Sequence, residues 1–445
     1  MSHHYPLFRH ALTDTIIWHK GVAISAAAFL YDVMQLVERL PDRPYLINLC
    51  EDRYHFTVGL AAAMIKGQCN LLPPSRAPDG INGLADDYLN SYCLFEQPIS
   101  NIELPAIELN IKKAGEGRIN DIPSIDGELL VCIAFTSGST GKPKANPKYW
   151  HDLIISADKA ISRFGITPDK ISSLIATVPP QHMYGLETSI LIPWCSGIAV
   201  DSGRPFFPAD LCSALASIPE PRLLISTPLH LHACVKADLS WPKLATVISS
   251  TAPLSTDLAQ KTEEVLSTKV LEIFGSTESG SIASRRTTAN LTWQLYDGMS
   301  LSLTEHRAYI DGDQLRQTVL LGDQIEQVDT QHFSLLGRSE EMINIAGKRA
   351  SLGDLNHKLN AINGVQDGVF IMLNLKESET TRLTAFVAAP TLDKATIIEQ
   401  LKNGIDAVFL PRPLYIVDNL PRNETGKLPK AALLKLLEKQ KKTKQ

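Results

Sequence analysis

The chain has 445 residues, 44% hydrophobic and 20% charged, with a net charge of −5. That composition fits an ordinary globular protein of two or three domains, and the acidic balance argues against a broad nucleic-acid surface, which needs a basic face. No apolar run approaches the roughly 20 residues of a membrane span, so neither a membrane span nor a nucleic-acid partner is expected.

No charged-then-apolar signal segment is read at the start of the sequence. The apolar stretch "VAISAAAFLY" is too short to span a bilayer and reads as part of a helix. "YLINLC" (Tyr45–Cys50) reads as a buried strand, "FTVGLAAAMIKG" as a helix ending at Gly67, and "CNLLPP" as the next strand. This is a βαβ unit, the building block of parallel sheets. From about Arg76 to Gly127 the pattern is patchy and rich in Pro and Gly, and predicts an irregular surface connection. Further buried strands are predicted at "LLVCIAF", "SLIATVPP", "GIAVDS", "RLLISTP", "ATVISST" and "KVLEIFG". Between them, Trp150, Ile154, Ala157, Ile161 and Phe164 fall at three- and four-residue steps and predict an amphipathic helix. The seven cysteines (Cys50, Cys69, Cys93, Cys132, Cys195, Cys212 and Cys234) are odd in number and lack metal-ligand spacing. They read as free, mostly buried thiols in a reducing compartment, which predicts a cytoplasmic protein.

Beyond about residue 300 the texture changes. "RAYIDG", "QTVLLGDQIEQVD" and "HFSLLG" alternate as antiparallel strands do. A polar stretch, "GRSEEMINIAGKR", follows, and then a small mixed pattern: helix "LGDLNHKLNAI", strands "GVFIML" and "LTAFVAAP", helix "KATIIEQLKNGI", strand "PLYIVD" and helix "PKAALLKLLEK". A domain boundary is expected near Arg338–Glu340. The basic tail "KQKKTKQ" reads as a solvated terminus.

The most informative stretch is "FTSGSTGKPK" (Phe135–Lys144). Glycines at Gly138 and Gly141 allow tight turns and close backbone approach to a ligand. The hydroxyls of Thr136, Ser137, Ser139 and Thr140 and the loop amides are phosphate donors, and Lys142 and Lys144 add positive charge. A plain Gly/Ser linker has a similar composition. The P-loop of NTPases fails on spacing: it reads G-x-x-x-x-G-K-[S/T], whereas only two residues separate Gly138 from Gly141, and Pro143 follows Lys142.

Together with five further motifs in order, this loop resembles the signature of the adenylate-forming superfamily, which includes acyl-CoA synthetases, adenylation domains of nonribosomal peptide synthetases, and luciferases. The further motifs are "VPPQHMYGLE", "ISSTAPLS", "IFGSTESG", "LLGDQIEQVD" with "LLGRSEEMINIAGKR", and "LPRNETGKLPK". The resemblance implies an α/β fold with a large N-terminal domain (1–338) of α/β subdomains and a small β-barrel-like part. A small mobile C-terminal α+β domain (339–445) completes it. It also implies ATP and Mg²⁺ as cofactors, a small carboxylic acid as substrate, and a phosphopantetheine thiol of CoA or an acyl carrier protein as acceptor.

Carried over residue by residue, the resemblance makes Lys427, Thr277, Glu278 and His182 the catalytic set. Thr136, Ser137, Gly138, Ser139, Thr140, Gly141 and Lys144 would hold the β- and γ-phosphates. Thr277 would meet the α-phosphate, and Glu278 would ligate Mg²⁺, which favours carboxylate oxygen. Phe274, where tyrosine is more usual, and Gly275 would lie against the adenine, with Thr251 lining the same pocket. Asp323 would accept the ribose hydroxyls and Arg338 would reach the same ribose. Lys427 would bridge the attacking carboxylate and the α-phosphate. The hinge falls on Glu340, and Gly347 would line the pantetheine channel.

"GKRASLGDLN", with Arg349, Leu352, Gly353 and Asp354, is similar to the pattern in domains that load carrier proteins and in acetate-type synthetases. The short chain adds a slight lean to a carrier protein over CoA. No carboxylate near His182 precedes Glu187, so an α-ammonium lacks a partner and a non-amino-acid substrate is expected. Thr251 stands where glycine is usual, which suggests a compact acid, aromatic or short-chain. An adenylate passed to another nucleophile, and a catalytically silent binding protein, are the alternatives.

Overall fold

The computed structural model describes residues 3–73, 76, 78–111, 117, 119–137, 143–304, 307–338, 342–345, 348–373, 382–402, 404–423 and 428–442. The chain divides into two compact units: Met1–Ser300 with Asp311–Val319, and Leu301–Ile310 with Leu320–Gln445.

The first unit is built on two sheets. One has six strands in the order Pro143–Tyr149, Leu130–Ser137, Cys69–Leu72, Tyr45–Asn48, Ser91–Phe95 and Ala106–Glu108. Every pairing in it is parallel except that of the first two strands, which form an antiparallel hairpin. The expected βαβ unit is its centre. Helix Arg53–Ile65 crosses between Tyr45–Asn48 and Cys69–Leu72, and the Asp52 side chain caps it by accepting from the Tyr54 and His55 amides. The cap satisfies donors that the first helical turn leaves unpaired.

The second sheet contains, within this unit, strands Trp293–Leu295, Gly280–Arg285, Val270–Ser276, Thr246–Ser249, Arg222–Ser226, Ser173–Ala176, Ala199–Asp201, Thr15–His19 and Val22–Ser25, in that order. Its middle is parallel. Leu174, Ile175, Leu223, Leu224, Ile225, Val247 and Ile248 there have no exposed surface. Burial on both faces explains why these strands read as unbroken apolar runs. The amphipathic helix is present at Trp150–Phe164 and ends at Gly165 in the left-handed region (φ 62°).

Two expectations change. The stretch expected to be irregular contains helix Pro78–Asp87 and strand Ser91–Phe95, which pairs with Tyr45–Asn48 in the middle of the six-stranded sheet. "SYCLF" is too short to show a period by itself, and its burial is imposed by the neighbouring strands. The small barrel-like part is an open three-stranded sheet of Met299–Thr304, Arg307–Gly312 and Val319–Leu320. A strand not foreseen, Pro143–Tyr149, separates the phosphate-type loop from the helix after it.

The second unit carries hairpin Asp323–Gln327 with His332–Arg338, hairpin Met342–Ile345 with Lys348–Ser351, and helix Leu352–Asn360. A three-stranded sheet of Asp367–Leu373, Arg382–Ala388 and Leu414–Ile416 follows, with helices Lys394–Lys402 and Lys430–Lys442. Leu355, Leu359, Phe370, Leu383, Ala385, Ile397 and Leu401 form one core; Phe386, Tyr415, Leu433 and Leu437 belong to another. All seven cysteines are free thiols, and all but Cys212 are buried.

Candidate active site

In the first unit the segments singled out by the sequence gather at one edge of the larger sheet. Residues 177–182, 226–227, 250–254 and 274–279 all follow or end parallel neighbouring strands, so they share the carboxyl-end crest. That edge is where open α/β sheets bind ligands.

The segment leading to His182 is fixed from two sides. Arg53, 1% exposed, donates to the carbonyls of Ala176 (3.1 Å) and Val178 (3.0 Å) and to the Ser189 hydroxyl. Burial pulls its guanidinium below the ordinary arginine value. Gln181 donates to the Cys50 carbonyl, and Tyr184 Oη lies 3.1 Å from the Ser226 carbonyl and 3.0 Å from that of Ile248. Tyr184 thus ties this segment to the ends of two strands. His182 precedes helix Met183–Leu186 and is partly buried. At Gly185 a Cβ would strike the Pro179 carbonyl, so only glycine fits there.

The turn after Thr246–Ser249 holds Ser250 and Thr251. Ser250 Oγ donates to the Ile273 carbonyl at 2.9 Å, and the Leu254 amide donates to Glu272 Oε1 at 3.1 Å. Glu272 is 2% exposed and pairs with Arg285 at 2.6 Å. Thr251 adopts φ 80°, a left-handed backbone that a β-branched residue rarely takes.

Strand Val270–Ser276 turns back at Thr277–Glu278–Ser279 into Gly280–Arg285, with a bulge between Phe274 and Gly275. A Cβ on Gly275 would strike the Gly280 carbonyl, so the glycine allows the two strands to close. The Phe274 ring is partly buried and sits 5.4 Å from Trp293, tilted by 49°. Arg285 lies over Trp293 at 4.3 Å. Thr277 and Glu278 are partly buried at the tip. The Glu278 carboxylate takes no hydrogen bond or ion pair from the described residues, so its oxygens fit a hard cation.

Two residues not foreseen as functional support this turn. Lys148 Nζ donates to the Glu278 carbonyl at 3.0 Å, and its side chain is buried on the strand that follows the phosphate-type loop. Burial pulls the Lys148 ammonium below its ordinary range, against the opposing influence of nearby Glu187 and Glu278. Glu187, also buried, accepts from the Ser281 amide (3.1 Å) and Ser156 Oγ (2.9 Å). Burial pushes its carboxyl up, against those hydrogen bonds and Lys148. Lys148 shares a strand face with Asn146 and Lys144, since side chains alternate.

The hairpin register sets Thr136 opposite Lys144, so these two residues flank the loop; Lys144 is exposed and Thr136 partly buried. Gly138, Ser139, Thr140, Gly141 and Lys142 lie outside the described residues, as does the side chain of Ser137. In the second unit, Asp323 is paired in register with Arg338. The Arg338 side chain, Glu340, Gly347 and Lys427 lie outside the described residues.

Residues 95–316 match the family described as AMP-binding enzyme. A 4-coumarate–CoA ligase of Halorhodospira halophila is 29% identical over 300 residues, covering 66% of this chain and 73% of the relative. The o-succinylbenzoate CoA synthetase of Bacillus subtilis, solved with its acyl-adenylate, superposes with a TM-score of 0.83 at 13% identity, covering 97% of this chain and 98% of its own. An anthranilate CoA ligase bound to anthranoyl-AMP superposes with a TM-score of 0.79 at 15% identity, covering 99% of each chain. The matched span takes in the phosphate-type loop, the His182 segment and the Phe274–Glu278 turn. The chain belongs to the adenylate-forming superfamily of AMP-binding enzymes.

Proposed function

We propose that this chain is an ATP-dependent carboxylic acid–thiol ligase acting on a compact, non-amino-acid carboxylate. The observation that carries the proposal is the crest itself: the Phe274–Glu278 turn, the Ser250–Leu254 turn and the His182 segment meet at adjoining strand ends, braced by Lys148. In the first step a carboxylate oxygen attacks the α-phosphorus of ATP, the α–β bridging P–O bond breaks, and pyrophosphate leaves. In the second, a thiol sulfur attacks the acyl carbonyl and AMP leaves.

The chemistry brings anion onto anion, so preorganised donors and charge neutralisation supply most of the rate. Thr136, Lys144 and the loop between them are assigned to the β- and γ-phosphates, and Thr277 to the α-phosphate. Glu278 is assigned to Mg²⁺, which when bound neutralises phosphate charge. Phe274 is assigned to the adenine, Asp323 and Arg338 to the ribose, and Lys427 to the reacting oxygens. The pivot for the second step is assigned to Glu340, with Gly347 beside the incoming thiol.

Glu187 supports the choice of acid. Its carboxylate is already engaged by Ser156 and Ser281, so it does not serve a substrate ammonium. The relatives named above act on aromatic acids, in keeping with an aromatic or short-chain substrate. The acceptor is a phosphopantetheine thiol, carried by CoA or by an acyl carrier protein.

The test is pyrophosphate release from ATP and Mg²⁺ over a panel of aromatic and short-chain acids, followed by thioester formation with CoA and with a loaded carrier protein. Release with at least one acid is expected, and its absence with every acid overturns the proposal. Lys427→Ala should lower adenylation about 10²–10³-fold, the scale of one lost transition-state contact, while thiol transfer from preformed acyl-adenylate survives. Equal losses in both steps would remove Lys427 from its role.

A further inference from the structure

Away from the crest, four side chains of the first unit converge from three segments. His19 ends strand Thr15–His19, Asp52 and His55 open helix Arg53–Ile65, and Glu96 follows strand Ser91–Phe95. His19 Nδ1 lies 3.6 Å from Asp52 Oδ1, and His55 Nδ1 lies 3.1 Å from Glu96 Oε1. One ligand atom from each of His19, Asp52 and His55 falls within 4.8 Å of the others. The two imidazole rings are 5.7 Å apart. The four side chains are 12–22% exposed, so the cluster is sheltered yet reachable from solvent.

The ordinary explanation is a network of hydrogen bonds, and it accounts for part of the cluster. Asp52 Oδ1 caps the helix through the Tyr54 amide (2.8 Å), Glu96 Oε1 accepts from the Asp52 amide (2.9 Å), and His19 Nδ1 has Ser202 Oγ at 3.1 Å. It does not account for His55. Its Nδ1 faces the Glu96 carboxylate, but its buried Nε2 has no hydrogen-bond partner among the described residues. Leaving a buried polar atom without a partner is costly, so an unpartnered imidazole nitrogen beside Asp52 and a second imidazole calls for a ligand.

The geometry points to a zinc site formed by His19, His55 and a carboxylate oxygen of Asp52, with Glu96 holding the His55 ring from behind. Zinc binds imidazole nitrogen and carboxylate oxygen at about 2.0–2.2 Å, and tetrahedral neighbours on the ion then sit roughly 3.3 Å apart. The His19–Asp52 separation of 3.6 Å is close to that spacing, and the three ligand atoms lie within 4.8 Å of one another. Two imidazoles select a transition metal over Mg²⁺, which prefers an all-oxygen shell. His19 belongs to the larger sheet while Asp52, His55 and Glu96 border the six-stranded one, so the ion would clip the two sheets of this unit together.

The test reads metal rather than activity and is independent of the proposed reaction. The full-length chain is stripped by chelator dialysis and titrated with zinc sulfate and, separately, cobalt chloride. One zinc per chain at micromolar or tighter affinity is expected, with cobalt giving the visible bands of a tetrahedral site and zinc raising Tm. His3→Ala/His4→Ala should retain this binding, which separates the site from the terminal histidines, and Glu278→Gln should retain it as well. His19→Ala and His55→Ala, each checked for native circular dichroism, should lower zinc affinity at least about 10-fold. Absence of stoichiometric zinc binding by the unmodified chain overturns the site, as does full retention in the folded His19→Ala/His55→Ala variant.

Discussion

The turns at Ser250–Leu254 and Phe274–Ser279 follow neighbouring parallel strands of one sheet, and they solve the same crowding problem in opposite ways. At Gly275 the backbone comes so close to Gly280 that no side chain fits, and glycine is present. At Thr251 the backbone takes φ 80°, a conformation suited to glycine, and threonine is present. The first turn is assigned to the nucleotide, which is the same in every turnover. The Thr251 turn is assigned to both the adenine and the acid, and the acid differs from enzyme to enzyme. On those assignments the strained backbone falls beside the acid, while the Gly275 turn keeps the residue that sterics dictate.

The comparison breaks first at Gly275. Gly275→Val drives a branched side chain into the Gly280 carbonyl, forces the Val270–Ser276 and Gly280–Arg285 strands apart, and displaces Thr277 and Glu278. A misplacement of about 1 Å can cost 10²-fold in rate, so pyrophosphate release should fall by at least that factor, with a lower Tm. Near-normal activity would show that the turn position is not set by this contact.

Lys148 tests whether the nucleotide turn is rigid for a reason. Lys148→Met keeps the length of the side chain, removes the donor to the Glu278 carbonyl, and takes a nearby positive charge away from buried Glu187. Leaving a buried hydrogen-bonding group without its partner costs about 1–3 kcal/mol. Glu187 already has a raised pKa, so its favourable contribution is complete below the ordinary carboxylate range and lost as pH rises through its folded value. Without Lys148 that folded value rises further. The variant should therefore be more destabilised near pH 8 than near pH 5, and kcat should fall more than the KM for ATP rises. Thermal melts across that pH range decide the matter; a loss of Tm that is flat with pH would detach Glu187 from Lys148.

Much of this was legible in the sequence. Parallel strands buried on both faces announce themselves as apolar runs, and the crest residues stand in motifs whose order survives without the structure. Strand Ser91–Phe95 was hidden, because five residues show no period and their burial comes from Tyr45–Asn48 beside them. Lys148 was hidden for a related reason: a lysine in a strand reads as solvated until the partner that buries it, Glu187, is brought from a helix 39 positions away. The cluster of His19, Asp52, His55 and Glu96 is likewise assembled by topology, with no spacing that a linear reading could recognise.

The smallest effect, and the one that sharpens the comparison most, is Thr251→Gly. A left-handed backbone costs a non-glycine residue roughly 1–2 kcal/mol, while glycine loses about 0.4–1 kcal/mol through a freer unfolded chain. The balance favours the variant by up to about 1 kcal/mol, or ~2–4 °C in Tm for a unit of this size. Removing the side chain should also open the wall beside Ser250. The variant is therefore expected to accept bulkier acids with improved kcat/KM while the KM for ATP stays within about 2-fold. Differential scanning fluorimetry and the acid panel together read both effects. If Tm falls and the acid preference is unchanged, threonine is there to hold the turn, and the two turns differ in structure alone. If Tm holds or rises and the preference widens, the strained threonine is the specificity element of the site.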